Sequence, residues 1–420
     1  MTMLLLVGFT LRAQDGAYGG YSPYSVYGIG NLTVQGNAYT RGMGGIGVAT
    51  RNNRYINMVN PAAVTARDTL SFMADFGMEN QNGIFRQNDF SSANNTFNIS
   101  NIAVSFPLYR KSAFSFGVSN FSTMGYDFSH KTIDETGVWT SSSAGNGGMY
   151  QIFGGAAATF FDRLSVGAQA IYYFGNLDKP TSIVNSNATY RSFSNGYIMD
   201  LKGFTGKFGV QYDMPLSNGT RLTLGGTYRL GTDLRGEVTD YSFATISSYQ
   251  DTVSYKTYTG RQVRLADEIG VGVSLKRGER WMLEIDYLRS DWSGTGMDTA
   301  PGFSNIGKAR FSATTAQSVR AGFEFVPNRN DIRYYLRRCA YRGGVYFDQS
   351  YYKLDGNSVN AYGLTFGVTL PVFRWYNGIS LGVDIGQKGS TRGLMTRERY
   401  AKFVIGFNIH DIWFRKVQYD

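Results

Sequence analysis

The sequence predicts an all-β protein, a transmembrane antiparallel β-barrel of about 14 strands with an N-terminal hatch or plug segment. Three observations carry this expectation. From residue 69 onward, apolar and polar residues alternate with a period of two in segment after segment. The connections between those segments are short and long in turn. Aromatic residues gather beside the short connections, at the level where a headgroup girdle stands.

The composition suits strands with one apolar and one polar face. Glycine is 52 of 420 residues, aromatics reach 15% and charged residues only 17%, against roughly a quarter in soluble domains. No stretch approaches the ~18 consecutive apolar residues of a membrane helix. The formal net charge of +10 is scattered along the chain, which points away from nucleic acid and toward the anionic headgroups of outer-membrane lipid. Cys339 is the only cysteine, which excludes an intramolecular disulfide and a multi-thiolate metal site. His130 and His410 lie far apart without a ligand pattern, so no metal and no cofactor are expected.

The apolar run Met3-Leu4-Leu5-Leu6-Val7-Gly8-Phe9, followed by Arg12-Ala13-Gln14, suits a signal peptide over 1–13. Residues 14–68 are Gly-rich and irregular and form the expected hatch, and 69–420 form the barrel.

The strands are read by parity. Leu222, Leu224, Tyr228 and Leu230 share one face, while Thr223, Gly225, Thr227 and Arg229 share the other. Ile269, Val271 and Val273 oppose Glu268, Gly270 and Gly272; Leu283, Ile285 and Tyr287 oppose Glu284 and Asp286. Near the end, Phe403, Ile405 and Phe407 oppose Lys402, Gly406 and Asn408. This reading places strands at 69–78, 97–106, 112–121, 148–160, 164–174, 201–213, 220–231, 265–275, 281–291, 313–325, 341–350, 359–370, 378–387 and 398–410.

A soluble sandwich also alternates. The connections decide against it. Short turns at 107–111, 161–163, 214–219, 276–280 and 371–377 interleave with long loops at 79–96, 122–147, 176–200, 232–264, 292–312 and 388–397. Short turns on one rim and long loops on the other are the outer-membrane pattern, and an even strand number leaves both termini periplasmic. Tyr109, Phe160, Phe161, Tyr212, Trp281, Trp375, Tyr376, Trp413 and Phe414 form the girdle beside the short turns.

Arg41-Gly42-Met43-Gly44-Gly45-Ile46-Gly47-Val48, then Asn60-Pro61-Ala62-Ala63, then a first strand, resembles the start of FadL-type outer-membrane proteins. The later segments Phe325-Val326-Pro327-Asn328 and Arg333-Tyr334-Tyr335-Leu336-Arg337-Arg338, with the ending Asp411-Ile412-Trp413-Phe414-Arg415-Lys416, resemble the Bacteroidota branch of that group. The resemblance implies that the hatch carrying Gly42, Gly44, Gly45, Gly47, Asn60, Pro61 and Ala62 plugs the barrel. It also implies two functions. The leading one is passage of hydrophobic small molecules across the outer membrane of a Gram-negative bacterium. The alternative is a non-transporting barrel subunit of a barrel-assembly or secretion machine, working with surface lipoproteins or another outer-membrane barrel. Inward positions rich in Gly, Thr, Ser and charge depart from the apolar ligand pockets of the transporters.

Inward charges are expected at Lys207, Arg229, Glu268, Glu284, Asp286, Arg320, Glu324, Asp384 and Lys402. They suit either a polar path or, as the simpler expectation, a lumen cross-braced by ion pairs. Glu284 and Asp286 sit two apart on one face, as acid–base pairs do, but no nucleophile or water site accompanies them, and the chain is not expected to be an enzyme. Two clusters suit partner binding: Tyr249, Tyr255 and Tyr258 in a long loop, and Arg333, Arg337 and Arg338 on the short-turn rim. The latter could equally reach lipid phosphates.

Overall fold

A computed structural model describes residues 19–68, 70–88, 90–187, 189–246, 249–304, 309–372 and 377–412. The expected signal peptide, and the girdle residues Trp375, Tyr376, Trp413 and Phe414, lie outside them.

The alternation produces an inverted protein. On facing strands Ile269, Val271, Val273, Leu283 and Ile285 are exposed, whereas Ser274, Glu284 and Asp286 are buried. An apolar outer row around a polar inner row is unfavourable in water and correct in lipid, where strands must also close to leave no unpaired edge. Closure is complete in this belt. Fourteen strands run antiparallel, each paired with the next in sequence: β1 (Ser71–Gln87), β2 (Phe90–Pro107), β3 (Ser112–Asp134), β4 (Gly137–Phe160), β5 (Leu164–Asn185) and β6 (Ser192–Pro215). Next come β7 (Thr220–Arg229, resuming at Thr232–Ile246), β8 (Tyr249–Leu265, resuming at Glu268–Arg277), β9 (Trp281–Asp291) and β10 (Phe311–Ala313, resuming at Thr315–Phe325). The last four are β11 (Ala340–Leu354), β12 (Asn357–Val372), β13 (Asn377–Lys388) and β14 (Arg397–Ile412). The ring closes where β14 pairs with β1, from Ile412 opposite Ser71 to Arg397 opposite Arg86.

The strand count and parity agree with the sequence reading; the strand lengths do not. Four of the expected long loops are mostly β-hairpin. β1 and β2 pair as far as Gln87 opposite Phe90, and β3 and β4 as far as Asp134 opposite Gly137. β5 and β6 extend to Asn185 and from Ser192, and the interval 232–264 is the β7–β8 hairpin. Beyond the lipid belt no apolar outer face is required, so the hydrophobic alternation stops. The β-forming Thr, Ser, Asn and Tyr continue, and the ladder continues with them. Among the described residues, 292–304, 309–310 and 389–396 leave the sheet on that rim as expected.

Residues 19–68 form hydrogen bonds with inward groups of strands on all sides of the ring, so this segment lies within the cylinder. Local capping shapes it. Asn37 caps the one-turn helix Ala38–Arg41 through the Thr40 N–H, and Asn60 caps the 3-10 turn Pro61–Thr65 through the Ala62 N–H. Near the long-hairpin end, Tyr24, Val26 and Ile29 pack with Trp292, Met297 and Phe303 of the 292–310 loop in one buried apolar cluster. At the short-turn end, Arg54 reaches Glu279 in the β8–β9 turn at 3.2 Å.

Candidate functional site

The interior is the chemically distinctive part of the molecule, and two carboxylates of β9 organise it. Asp286 accepts the N–H groups of Gly47 and Val48, at 2.7 and 2.9 Å. Glu284 accepts those of Ala49 and Thr50, at 2.9 and 3.0 Å, and the Thr50 hydroxyl at 2.6 Å. Four consecutive amides therefore converge on two carboxyl groups, a concave backbone nest of the kind that receives an acceptor. The acidic pair expected from its spacing is an anchor for the N-terminal segment, holding four of its backbone amides and one side-chain hydroxyl.

Close approach explains the glycines. Gly44 has a φ of +73° and donates its N–H to Thr365 Oγ1 at 2.7 Å. A Cβ on Gly344 of β11 would collide with this Gly44 amide, and one on Gly225 of β7 would collide with the Val48 carbonyl. Glycines inside the wall and glycines of the 42–47 run are thus two sides of one contact. Asn60, fully buried, donates to Val48 O at 2.6 Å and to Val210 O and Gly226 O at 3.3 Å. It binds the segment to itself and to β6 and β7. Pro61 and Ala62 follow as the first residues of its capped turn. Gly42 lies against Gly367 of β12, and Gly47 against Val59.

Most of the remaining inward charges have an ion-pair or hydrogen-bond partner. Arg229 lies 3.6 Å from Glu268, and Lys207 lines the same cavity wall as Glu268. Arg320 pairs with Asp348 at 3.0 Å, and Lys402 lies 3.9 Å from Glu79, which also takes Arg41 of the N-terminal segment. Asp384 accepts the Tyr346 hydroxyl at 2.7 Å. Glu324 accepts Arg342 Nε at 2.8 Å, and the Arg342 guanidinium stacks on the Tyr39 ring with its centre 4.3 Å from the centroid. Sequence reading missed Glu79, which lies just past the drawn end of its strand, and Arg342, which it grouped with the arginines of the rim; Asp348 falls inside the expected strand 341–350 but was not singled out.

Lys179 was missed for the same reason as Glu79. It is buried on the extended part of β5 and donates to the carbonyls of Val26, Gly28 and Gly302, at 2.9, 3.2 and 2.8 Å. One ammonium thereby ties the N-terminal segment, β5 and the 292–310 loop together. Where the segment leaves the lumen, Asp68 lies 3.4 Å from His410 and accepts Asn53 at 2.9 Å. The His410 contact holds the Asp68 carboxyl below its ordinary range.

A cavity of about 310 Å³ remains between segment and wall. Its lining includes Arg41, Glu79, Lys207, Glu268, Arg320 and Lys402.

The two candidate partner clusters are on the surface. Tyr249 and Tyr255 are 69% and 62% exposed, with Tyr258 less so. On the opposite rim, Arg333 and Arg337 lie over the Tyr334 ring and Arg338 over Tyr335, around the single helical turn Tyr335–Arg338. Arg337 also pairs with Asp331 at 3.4 Å.

The family model described as BamG matches residues 1–420. No curated protein matches the chain. Among solved structures, the CymD monoaromatic hydrocarbon channel superposes with a TM-score of 0.59 at 15% identity, covering 91% of this chain and 98% of its own. The Ralstonia pickettii toluene transporter TbuX gives 0.59 at 16% identity, over 89% and 98%. A Pseudomonas aeruginosa FadL homologue gives 0.57 at 11% identity, over 90% and 99%. At such identities the likeness is one of fold.

Proposed function

The chain belongs to the BamG family, and from that premise we propose that it is a non-transporting barrel subunit of an outer-membrane barrel-assembly machine. In this reading the termini are periplasmic, the long hairpins stand at the cell surface, and residues 19–68 are a permanent plug. The observation that carries it is the interior. Hydrophobic ligand sites are concave, mostly apolar and few in polar groups. Here backbone bonded to carboxylates occupies much of the lumen, and the remaining cavity, although Leu32, Val34, Val59 and Leu288 contribute apolar wall, is bordered by charges of both signs. Such an interior makes a rigid post. The Bam name of the family points the same way, toward subunits that act in a complex.

The second reading is passage of hydrophobic small molecules, favoured by the fold shared with the hydrocarbon channels. Extraction from native membranes in mild detergent separates the two. We expect the chain to run in a stable assembly with surface lipoproteins or another barrel. A chain that runs alone and carries lipid or fatty acid in its lumen overturns the assembly reading.

A further inference from the structure

The barrel is closed within the lipid belt and open above it. After Asp291, β9 ends and the chain turns inward, with Trp292, Met297 and Phe303 fully or almost fully buried. The upper part of β8, Tyr249–Leu265, thereby loses the neighbour that β9 provides lower down. Among the described residues its only strand partner is the upper part of β7, and its only backbone bond on the other side is from Arg264 N–H to Thr295 O, at 2.9 Å. Between two bulges, Ser254 to Arg261 keeps unbroken register with Ser242 to Arg235. Those eight residues exceed the usual strand of about 5–6 and present alternate N–H and C=O groups along the edge, where the Tyr258 carbonyl already accepts Gln262 Nε2 at 3.0 Å.

We propose that Ser254–Arg261 is a docking edge, joined by strand addition to an extended segment of a different protein. This rests on the assembly reading above and specifies how that assembly is held. Main-chain bonds supply affinity in this mode, and flanking side chains supply selectivity. The flanking chemistry is aromatic. Tyr255 stands opposite Tyr241, whose ring packs on Phe243 with centroids 5.5 Å apart, and an added strand would lengthen that strip. The edge itself carries Lys256 and Arg261 and no carboxylate, with Arg261 paired to Asp233 at 3.3 Å and Lys256 opposite Asp240 on β7. The same edge of a second copy would bring only like charge, so the edge fits a segment of another protein that combines β-branched or aromatic residues with Asp or Glu.

Amide hydrogen exchange on the isolated barrel and on the native assembly tests this. In the isolated chain the outward amides of 254–261 should exchange freely. In the assembly every second one should slow by about 100-fold, with 235–242 unchanged. A proline scan, Ser254→Pro through Thr257→Pro, provides the second measurement. Substitutions that remove outward N–H groups should release the partner while gel mobility still reports a folded barrel, giving a period-two pattern that side-chain contact alone would not produce. An assembly with freely exchanging edge amides, or one that survives all four prolines, overturns the docking edge alone. Absence of any assembly around the unaltered chain overturns the assembly reading with it.

Discussion

Thr50 is bonded twice to Glu284, by its N–H to Oε1 at 3.0 Å and by its hydroxyl to Oε2 at 2.6 Å. With the contact from Asp286 to Gly47 and Val48 just above it, this fixes the bend of the N-terminal segment against β9. Two carboxylates two residues apart on a strand share a face. That spacing, which also suits acid–base chemistry, here matches the spacing of two adjacent pairs of amides.

Replacing Glu284 by Ala should therefore leave two amides and one hydroxyl without their acceptor, at about 1–3 kcal/mol for each orphaned group. Because the strands keep their own ladders, the barrel should still fold. Amide exchange at 49 and 50 should rise by at least about tenfold, while Glu284→Gln, which keeps an acceptor, should show less. Unaltered exchange in the alanine variant would remove the anchoring role.

Removal of residues 19–66 tests the plug as a whole. The closed ring of strands needs no bond from the segment, so the shortened barrel should insert. Its conductance in planar bilayers should increase sharply, because the charged wall would then face water. Conductance equal to that of the full chain would mean that side chains of the wall or the 292–310 loop close the lumen.

Arg342 and Glu324 are almost completely buried, and separating them should be costly. Glu324→Ala leaves a guanidinium uncompensated among Thr369, Tyr55 and Tyr39, a loss of about 3–5 kcal/mol. The double variant Glu324→Gln with Arg342→Met should recover much of it. Heat-modifiable gel mobility measures both; a single variant as heat-resistant as the parent would show that the pair contributes little.

Much of the barrel was legible because lipid enforces a rule on each strand that crosses it. Val271 must face out and Gly272 in, and that parity is written in the residues themselves. Above the belt the rule lapses. Residues such as Asn82, Ser141 and Thr257 belong to strands without any apolar rhythm to announce them. The candidate site suffered accordingly. Inward Glu284 and Asp286 could be placed by parity, but their partners are backbone amides of 47–50, which no side-chain pattern encodes. The pairing of Gly44 with Gly344 is equally silent, since a glycine in sequence does not reveal what approaches it.

Acid should loosen the point where the segment enters β1. The Asp68 carboxyl is held below its ordinary value of 3.8, chiefly by His410 and then by Asn53. A depressed carboxylate stabilises above its unfolded value and loses that contribution as pH falls through the folded one. Exchange at residues 66–68 should thus quicken, relative to its intrinsic rate, only as pH falls below about 4, and Asp68→Asn should abolish the step. A step centred above pH 5 would assign the coupling to another group.

Topology can be tested on intact cells. In a Cys339→Ser background, cysteine at Tyr249 or Asp298 lies on the long-hairpin rim, where both native residues are exposed. Cysteine at Gly278 or Lys111 lies in the short turns, also exposed but on the opposite rim. Accessibility to solvent is therefore the same for the two sets, and only the side of the membrane differs. Short turns face the periplasm in outer-membrane barrels. An impermeant thiol reagent should label the first pair on intact cells and the second pair only after the outer membrane is permeabilised. Labelling of Gly278→Cys without permeabilisation, with Tyr249→Cys silent, would invert the protein. It would also move the docking edge of β8 into the periplasm, where surface lipoproteins could not reach it.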